Sequence, residues 1–217
     1  MSGPVVRFYA PERVKRVPWK NGLGVTEELA IDPPDAEFAA ARFRWRVSMA
    51  GVAAPGPFSM FPGYDRVILV VDGGGLRLTH GDDPPIEISR FCAHRFSGDV
   101  STYGVPLEGP VQDANLFLRR GVVDGDLAAY EPIRPITLRL GLGVTFFHAA
   151  RGAICIRGAD VGDWLLPARA SLSVSGVSEP STQTVAIAAA SSVAAPHVPP
   201  HGVPLVLVAG IRSVGAF

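Results

Sequence analysis

Residues 18–28 read Pro18-Trp19-Lys20-Asn21-Gly22-Leu23-Gly24-Val25-Thr26-Glu27-Glu28 and gather an aromatic ring, a cation, an amide and two carboxylates around a glycine turn. A turn into a strand needs only Gly, Asn or Pro. The other side chains are therefore candidates for chemistry: Lys20 as a charged donor, Asn21 as a neutral one, Trp19 as a wall and Glu28 as an acceptor. The chain has two lysines, Lys15 and Lys20, against 18 arginines, so a lysine in this turn stands out. The plain alternative is a solvated turn with a snorkelling lysine.

Three more runs place polar groups among aromatic and Gly/Pro residues: Trp45-Arg46-Val47-Ser48, Gly56–Arg66 and Gly109–Leu116. In a strand Asp113 and Asn115 point to the same side. Lys20, Arg46 and Arg66 would bind carboxylate. Asn21, Ser48 and Asn115 would read neutral groups, and Trp19, Trp45 and Phe61 would form walls. An apolar pocket with a few convergent polar groups suits a small ligand, and each charge-assisted hydrogen bond in it is worth about 1.5–3 kcal/mol. The structural alternative is that Arg66 pairs with Asp65 or Asp113 and staples the fold.

Other chemistries find less support. His80, His94, His148, His197 and His201 form neither His-x-His nor His-x-x-x-His. His197 and His201 are separated by Pro199 and Pro200, which block the helix that would align them. No metal site is expected, although one assembled from distant histidines stays open as an alternative. Gly-x-Ser-x-Gly is absent. Cys92 and Cys155 are too few for a disulfide framework or a Cys-based metal site, and both are expected to be buried and reduced.

Composition narrows the class. The 217 residues suffice for one large all-β domain or two small ones. Hydrophobic content of 47% against 18% charged is enough for a sizeable core. Formal net charge is zero, so no basic excess serves a nucleic-acid partner. No apolar run approaches about 18–20 residues, which argues against a membrane span. Arg7, Glu12 and Arg13 occupy the N-terminal region in place of an apolar segment, so no signal peptide is expected. A bacterial cytoplasm is the expected location.

Positioning these residues falls to strands. The 24 Gly and 20 Pro leave few helical windows, and short apolar runs between turns recur instead. Strands are expected at 26–31, 43–50, 67–71, 76–79, 86–91, 115–118, 144–147, 153–156, 163–166, 172–175, 184–187 and 205–208. Phe43–Ala50 alternates: Phe43, Trp45, Val47 and Met49 share one face, Arg44, Arg46, Ser48 and Ala50 the other. Val67–Leu78 reads as a hairpin around Gly73-Gly74-Gly75; no Gly-Lys-Ser/Thr follows, so it is not a phosphate loop. Val144–Ile156 is its counterpart, which suggests two modules, 1–122 and 123–217.

These runs occur in the order seen in the HutD/Ves family: Pro18–Gly22, Phe43–Ser48, Gly56–Arg66, Arg95-Phe96-Ser97-Gly98-Asp99 and Asp113–Arg120. The chain resembles that family over about residues 8–120. The resemblance implies a bicupin, two jelly-roll (cupin) β-barrels in one chain, acting without a cofactor. It implies binding of a small anionic metabolite, with N-formylglutamate as the proposed ligand, and a regulatory role in histidine utilisation. Carried over, the pocket positions are Trp19, Lys20, Asn21, Glu28, Trp45, Arg46, Ser48, Phe61, Arg66 and Asn115. The positions where metal cupins keep His-x-His hold Phe58 and Met60, or Ser59 and Phe61. Leu23, Glu27, Arg44 and Met60 depart from the family pattern. Alternation puts Glu27 and Glu28 on opposite faces, so at most one points inward. The alternative activity is a metal-free cupin isomerase or hydrolase using Lys20 or Glu28 as acid/base. The second half shows no comparable polar cluster and is expected to be scaffold or oligomer surface, as in a homodimer.

Overall fold

Alternation of apolar and polar residues, broken every few residues by Gly or Pro, produces nineteen strands among the described residues of the computed structural model, which are 3–19, 24–177, 183–190 and 202–215. Residues 178–182 and 191–201, with His197 and His201, lie outside them, as do Lys20 and Asn21. No described helix is long and apolar enough to cross a membrane. The chain divides into two units, Val14–Ala128 with Val214–Phe217, and Met1–Arg13 with Ala129–Ser213. The expected division at 122/123 places residues 3–13 in the first module. In the structure β1 (Val5–Tyr9) pairs antiparallel with β17 (Ser171–Ser175) and so joins the other unit.

The unit around Val14–Ala128 contains two sheets. One runs β2 (Lys15–Pro18), β3 (Val25–Asp32), β4 (Trp45–Val52), β11 (Val111–Arg119), β6 (Tyr64–Asp72) and β9 (Ala93–Ser97) in that order. The other runs β5 (Gly56–Phe58), β10 (Thr102–Pro106), β7 (Leu76–His80) and β8 (Ile86–Ile88). Between them lie Val52, Ile68, Val70, Leu76, Leu78, Ile88, Phe96 and Val111. Strands Val5–Tyr9, Lys15–Pro18, Gly56–Phe58, Ala93–Ser97, Thr102–Pro106, Val123–Tyr130 and Ile136–Arg139 were not expected from the sequence. Most are short, and their residues lack a long apolar run. The expected strand at 86–91 stops at Ile88.

The run Val67–Leu78 is not a hairpin. β6 and β7 belong to different sheets, and Gly73-Gly74-Gly75 carries the chain between them. Gly73 (φ 98°) and Gly75 (φ 128°) occupy the left-handed region, and a Cβ on Gly74 would lie 2.7 Å from Glu108 Cβ. The glycines serve close crossing rather than a two-strand turn. Its counterpart behaves alike: β14 (Val144–Arg151) pairs with β17 and β19 (Leu205–Ser213), whereas β15 (Ile154–Gly158) pairs with β16 (Gly162–Leu166) and β18 (Thr184–Ala189).

The second unit stacks β1, β17, β14 and β19 against β13 (Ile136–Arg139), β18, β15 and β16 around Phe147, Ile154, Ile156, Leu172, Val185 and Val206. The cysteines depart from expectation. Cys92 is exposed in the turn before β9, and Cys155 is half-buried because its neighbours Ile154 and Ile156 take the core side of β15. Buried His148 meets Ser171 Oγ at 2.8 Å, and burial pushes its pKa down to about 4. A depressed histidine contributes stability that is present above its unfolded value near 6.5 and lost as pH falls toward 4. Urea unfolding at pH 7.5 and 5 should therefore show a loss at pH 5 that shrinks in His148→Gln.

Candidate functional site

The face of the six-stranded sheet that looks toward the four-stranded one is polar at one end. Register places Arg46 opposite Phe117, Ser48 opposite Glu28 and Asn115, and Phe117 opposite Arg66. Alternation then sets Glu28, Arg46, Ser48, Arg66, Asp113 and Asn115 on one side, and Trp45, Val47 and Met49 on the other. Trp45 is thus not a wall of the Arg46 cluster. Its position one residue from Arg46 forces it through the sheet.

Arg46 is 2% exposed. Its Nε donates to Glu28 Oε2 at 2.8 Å and its Nη1 to Ser48 Oγ at 3.2 Å, while its guanidinium stacks 3.8 Å from the Phe38 ring centroid. Burial lowers its pKa and Glu28 counters that. The other oxygen of Glu28 faces Lys15 Nζ at 3.7 Å, across the β2–β3 register. Glu27 pairs with Arg16 instead. The two acidic side chains point to opposite faces, as alternation requires, so the departure at Glu27 adds no charge beside Arg46. Arg44, another departure, is an exposed partner of Asp32.

Arg66 is the second buried cation, 4% exposed. Its Nη2 donates to Asn115 Oδ1 at 2.8 Å and its Nη1 to the Ser59 carbonyl at 3.1 Å. Its Nε has no hydrogen-bond partner among the described residues. The rings of Phe117, Phe96 and Phe58 lie 4.5, 4.9 and 5.4 Å from its guanidinium carbon. Burial pushes its pKa down to about 10. Asp65 is not its partner, being held by Arg120 and Arg95.

Asp113 is fully buried, and Asn115 Nδ2 donates to its Oδ1 at 2.7 Å. Its Oδ2 has no hydrogen-bond partner among the described residues. Burial raises its pKa to about 7, with the Arg66 charge opposing. Near neutrality the cluster therefore sets two guanidiniums beside Glu28 and beside an acid that is only partly ionised.

The remaining expected residues frame this cluster. Trp19 closes the turn through its backbone bond to the Gly24 carbonyl at 2.8 Å, and its Nε1 donates to Thr26 Oγ1 at 2.8 Å. Its ring packs on the core between the sheets. Gly24 must be small, since a Cβ there would lie 2.6 Å from the Gly51 carbonyl oxygen. Phe61 stacks on Phe38 at 4.4 Å and meets Phe117 at 5.2 Å, completing the aromatic floor below Arg46. The run Arg95–Asp99 supplies support rather than ligand contacts. Asp99 accepts from the Gly63 amide at 2.7 Å and from Arg120 at 2.6 Å, and a Cβ on Gly98 would lie 2.5 Å from the Phe61 carbonyl oxygen. These contacts fix the segment that presents Ser59 and Phe61. An open cleft of about 310 Å³ lies elsewhere in this unit, lined by Arg16, Glu27, Gly51, Pro110 and Gln112 among others.

Sequence reasoning did not single out Phe38, Phe117, Phe96, Lys15, His80 or His94. Lys15 was legible in principle, because a hairpin about Gly22–Gly24 sets it across from Glu28. Among the described residues no three of His, Cys, Asp and Glu form a metal-sized group.

The HutD family model matches residues 11–194. The chain belongs to the HutD family. A protein of the hutC 3′ region of Pseudomonas putida is 40% identical over 102 residues, 47% of this chain and 52% of that one. Protein Ves of Citrobacter koseri is 36% identical over 103 residues, 47% and 52% of the respective chains. The chain thus spans about half the length of the curated relatives it matches. A solved structure of a conserved protein of unknown function from Pseudomonas aeruginosa PAO1 superposes with a TM-score of 0.80 at 27% identity, covering 96% of this chain and 100% of that one. The HutD family is related to histidine utilisation.

Two tests follow from the buried charges. Arg46 is buried against Glu28, and breaking such a pair costs about 3–5 kcal/mol. Arg46→Ala and Glu28→Ala should each be destabilised on that order in urea unfolding. The double variant should lose less than the sum of the two, and additivity would deny the pairing. Asp113 has the opposite sign from a paired carboxylate. Its folded pKa lies above its unfolded value, so it favours the folded state below about pH 4 and costs stability as pH rises toward 7. Asp113→Asn keeps the acceptor for Asn115 and should remove that loss, making the variant relatively more stable at pH 8 than at pH 5.

Proposed function

We propose that this HutD-family chain is a bicupin that binds a small anionic metabolite of the acyl amino acid class, such as N-formylglutamate, and regulates histidine catabolism. Binding would use side-chain donors of the Val14–Ala128 unit rather than a metal or cofactor, with the other unit as scaffold or oligomer surface.

The observation that carries this reading is the state of Arg66. Its guanidinium is buried among three aromatic rings, its bonded partners are the neutral Asn115 amide and a carbonyl, and its Nε lacks a hydrogen-bond partner among the described residues. A buried cation without a full counter-charge is costly to stability. An anionic ligand would neutralise it. Its carboxylate would take Nε and an Nη hydrogen of Arg66 in the bidentate geometry that suits a guanidinium. Asn115 and Ser48 would read neutral groups such as an amide or formyl. Arg46, already neutralised by Glu28, would shape the aromatic wall. Lys20 and Asn21, which lie outside the described residues, would add a charged and a neutral donor.

Thermal unfolding in the presence of N-formylglutamate, urocanate, histidine, glutamate and phosphate tests the reading. A ligand at ~100 times its dissociation constant adds about 2.7 kcal/mol to the native state, a midpoint shift of several degrees for a chain of this size. A selective shift with the acyl amino acid, lost in Arg66→Gln, is the expected result. No shift with any of the five compounds would count against the proposal.

A further inference from the structure

His80 at the end of β7 and His94 on β9 lie 14 residues apart in sequence and on different sheets, yet their Nε2 atoms meet at 3.1 Å and their rings stack with centroids 5.2 Å apart. Both are half-buried at the edge of the space between the sheets. The Phe96 ring lies 4.8 Å from His80, and the Arg66 guanidinium lies 4.9 Å from the same ring. The pair is therefore neighbour to the buried cation through one shared aromatic side chain.

The proton positions of this pair follow from its partners. Thr102 Oγ1 donates to the Val100 carbonyl at 3.3 Å, so it accepts from His80 Nδ1 at 2.9 Å. With its proton on Nδ1, neutral His80 offers Nε2 as an acceptor, and His94 donates its Nε2 proton there. One further proton fits on His94 Nδ1 without breaking any of these bonds. The charged groups facing the pair are Arg66 on β6 and Asp83 in the turn after β7. β10 contributes neutral Thr102, while Arg95 on β9 points to the opposite face, toward Asp65 and Asp124. Burial holds both imidazoles below their ordinary range; Asp83 opposes this at His80, while Arg66 adds to it there, as His80 does at His94. Without ligand the pair is neutral at neutral pH, and a nearby anion would reverse that balance.

We propose that His80 and His94 bind the second carboxylate of a short dicarboxylic ligand and take up one proton as they do so. This rests on the reading that Arg66 holds the first carboxylate. The inner end of the site is then a permanent cation and the outer end a cation formed only when the ligand arrives. Dicarboxylates are selected over monocarboxylates, because only they span from Arg66 to the histidine pair. The sign is fixed: an anion raises the imidazole pKa, so affinity for a dicarboxylate rises as pH falls.

Calorimetric titration of the full-length Asp113→Asn chain, which lacks the acid beside Arg66 that itself titrates near 7, with glutarate and with formate at pH 8.0 and 6.5 tests this, over a range where both ligands stay ionised. Glutarate should bind roughly fivefold more tightly at pH 6.5, within the ceiling of about tenfold per pH unit that one proton allows, with proton uptake seen as a buffer-dependent heat. Formate should show no such gain. In His94→Asn on that background the gain in glutarate affinity at pH 6.5 over pH 8.0 and the buffer-dependent proton uptake should both be lost. Glutarate binding that is flat with pH, or a gain that survives in His94→Asn, overturns the role of the histidines and leaves the Arg66 site standing. Failure of both anions to bind at either pH overturns the Arg66 reading and this inference with it.

Discussion

Two guanidiniums buried on one face of a β-sheet are the constraint around which the Val14–Ala128 unit is organised. Phe117 sits between them, across from Arg46 on one neighbouring strand and from Arg66 on the other. Charges in such a place must be paired, hydrogen-bonded or exposed. Arg46 meets that demand with Glu28, Ser48 and the Phe38 ring. Arg66 meets it only in part, and its nearest acid is itself pushed toward neutrality. The asymmetry between two similar residues separates a structural arginine from one suited to a ligand.

The support for this pair reaches through the same unit. Arg120, Asp99 and Gly98 fix the segment carrying Ser59 and Phe61, and the Trp19 ring packs on the core. Gly24, Gly74 and Gly98 stand where a Cβ would strike neighbouring atoms. Much of the sequence pattern shared with the HutD family is therefore holding structure. Among the described residues that the pattern names, Arg66, Asn115 and Ser48 are the polar ones that the proposed function assigns to the ligand, with Asp113 behind Asn115.

The second unit repeats the crossing from one sheet to the other at Arg151-Gly152, as Gly73–Gly75 does in the first. Its interior is almost wholly apolar. Of its buried polar side chains, His148 on β14 bonds to Ser171 on β17, and Ser173 on β17 bonds to Tyr9. Among the described residues of that unit, no buried side chain matches the unneutralised charge at Arg66.

By itself the sequence determined the all-β class, the faces of β4, the shared side of Asp113 and Asn115, and the opposed directions of Glu27 and Glu28. Each follows from a period of two along one strand, which needs no knowledge of neighbours. The order of its motifs also determined the family. Tertiary structure alone decided which strands pair, and hence that the glycine run crosses between sheets. It alone decided that Arg46 spends its charge on Glu28 while Arg66 does not, and that His80 meets His94. Those outcomes depend on contacts between residues far apart in the chain and on burial, which sets the strength of every charge involved.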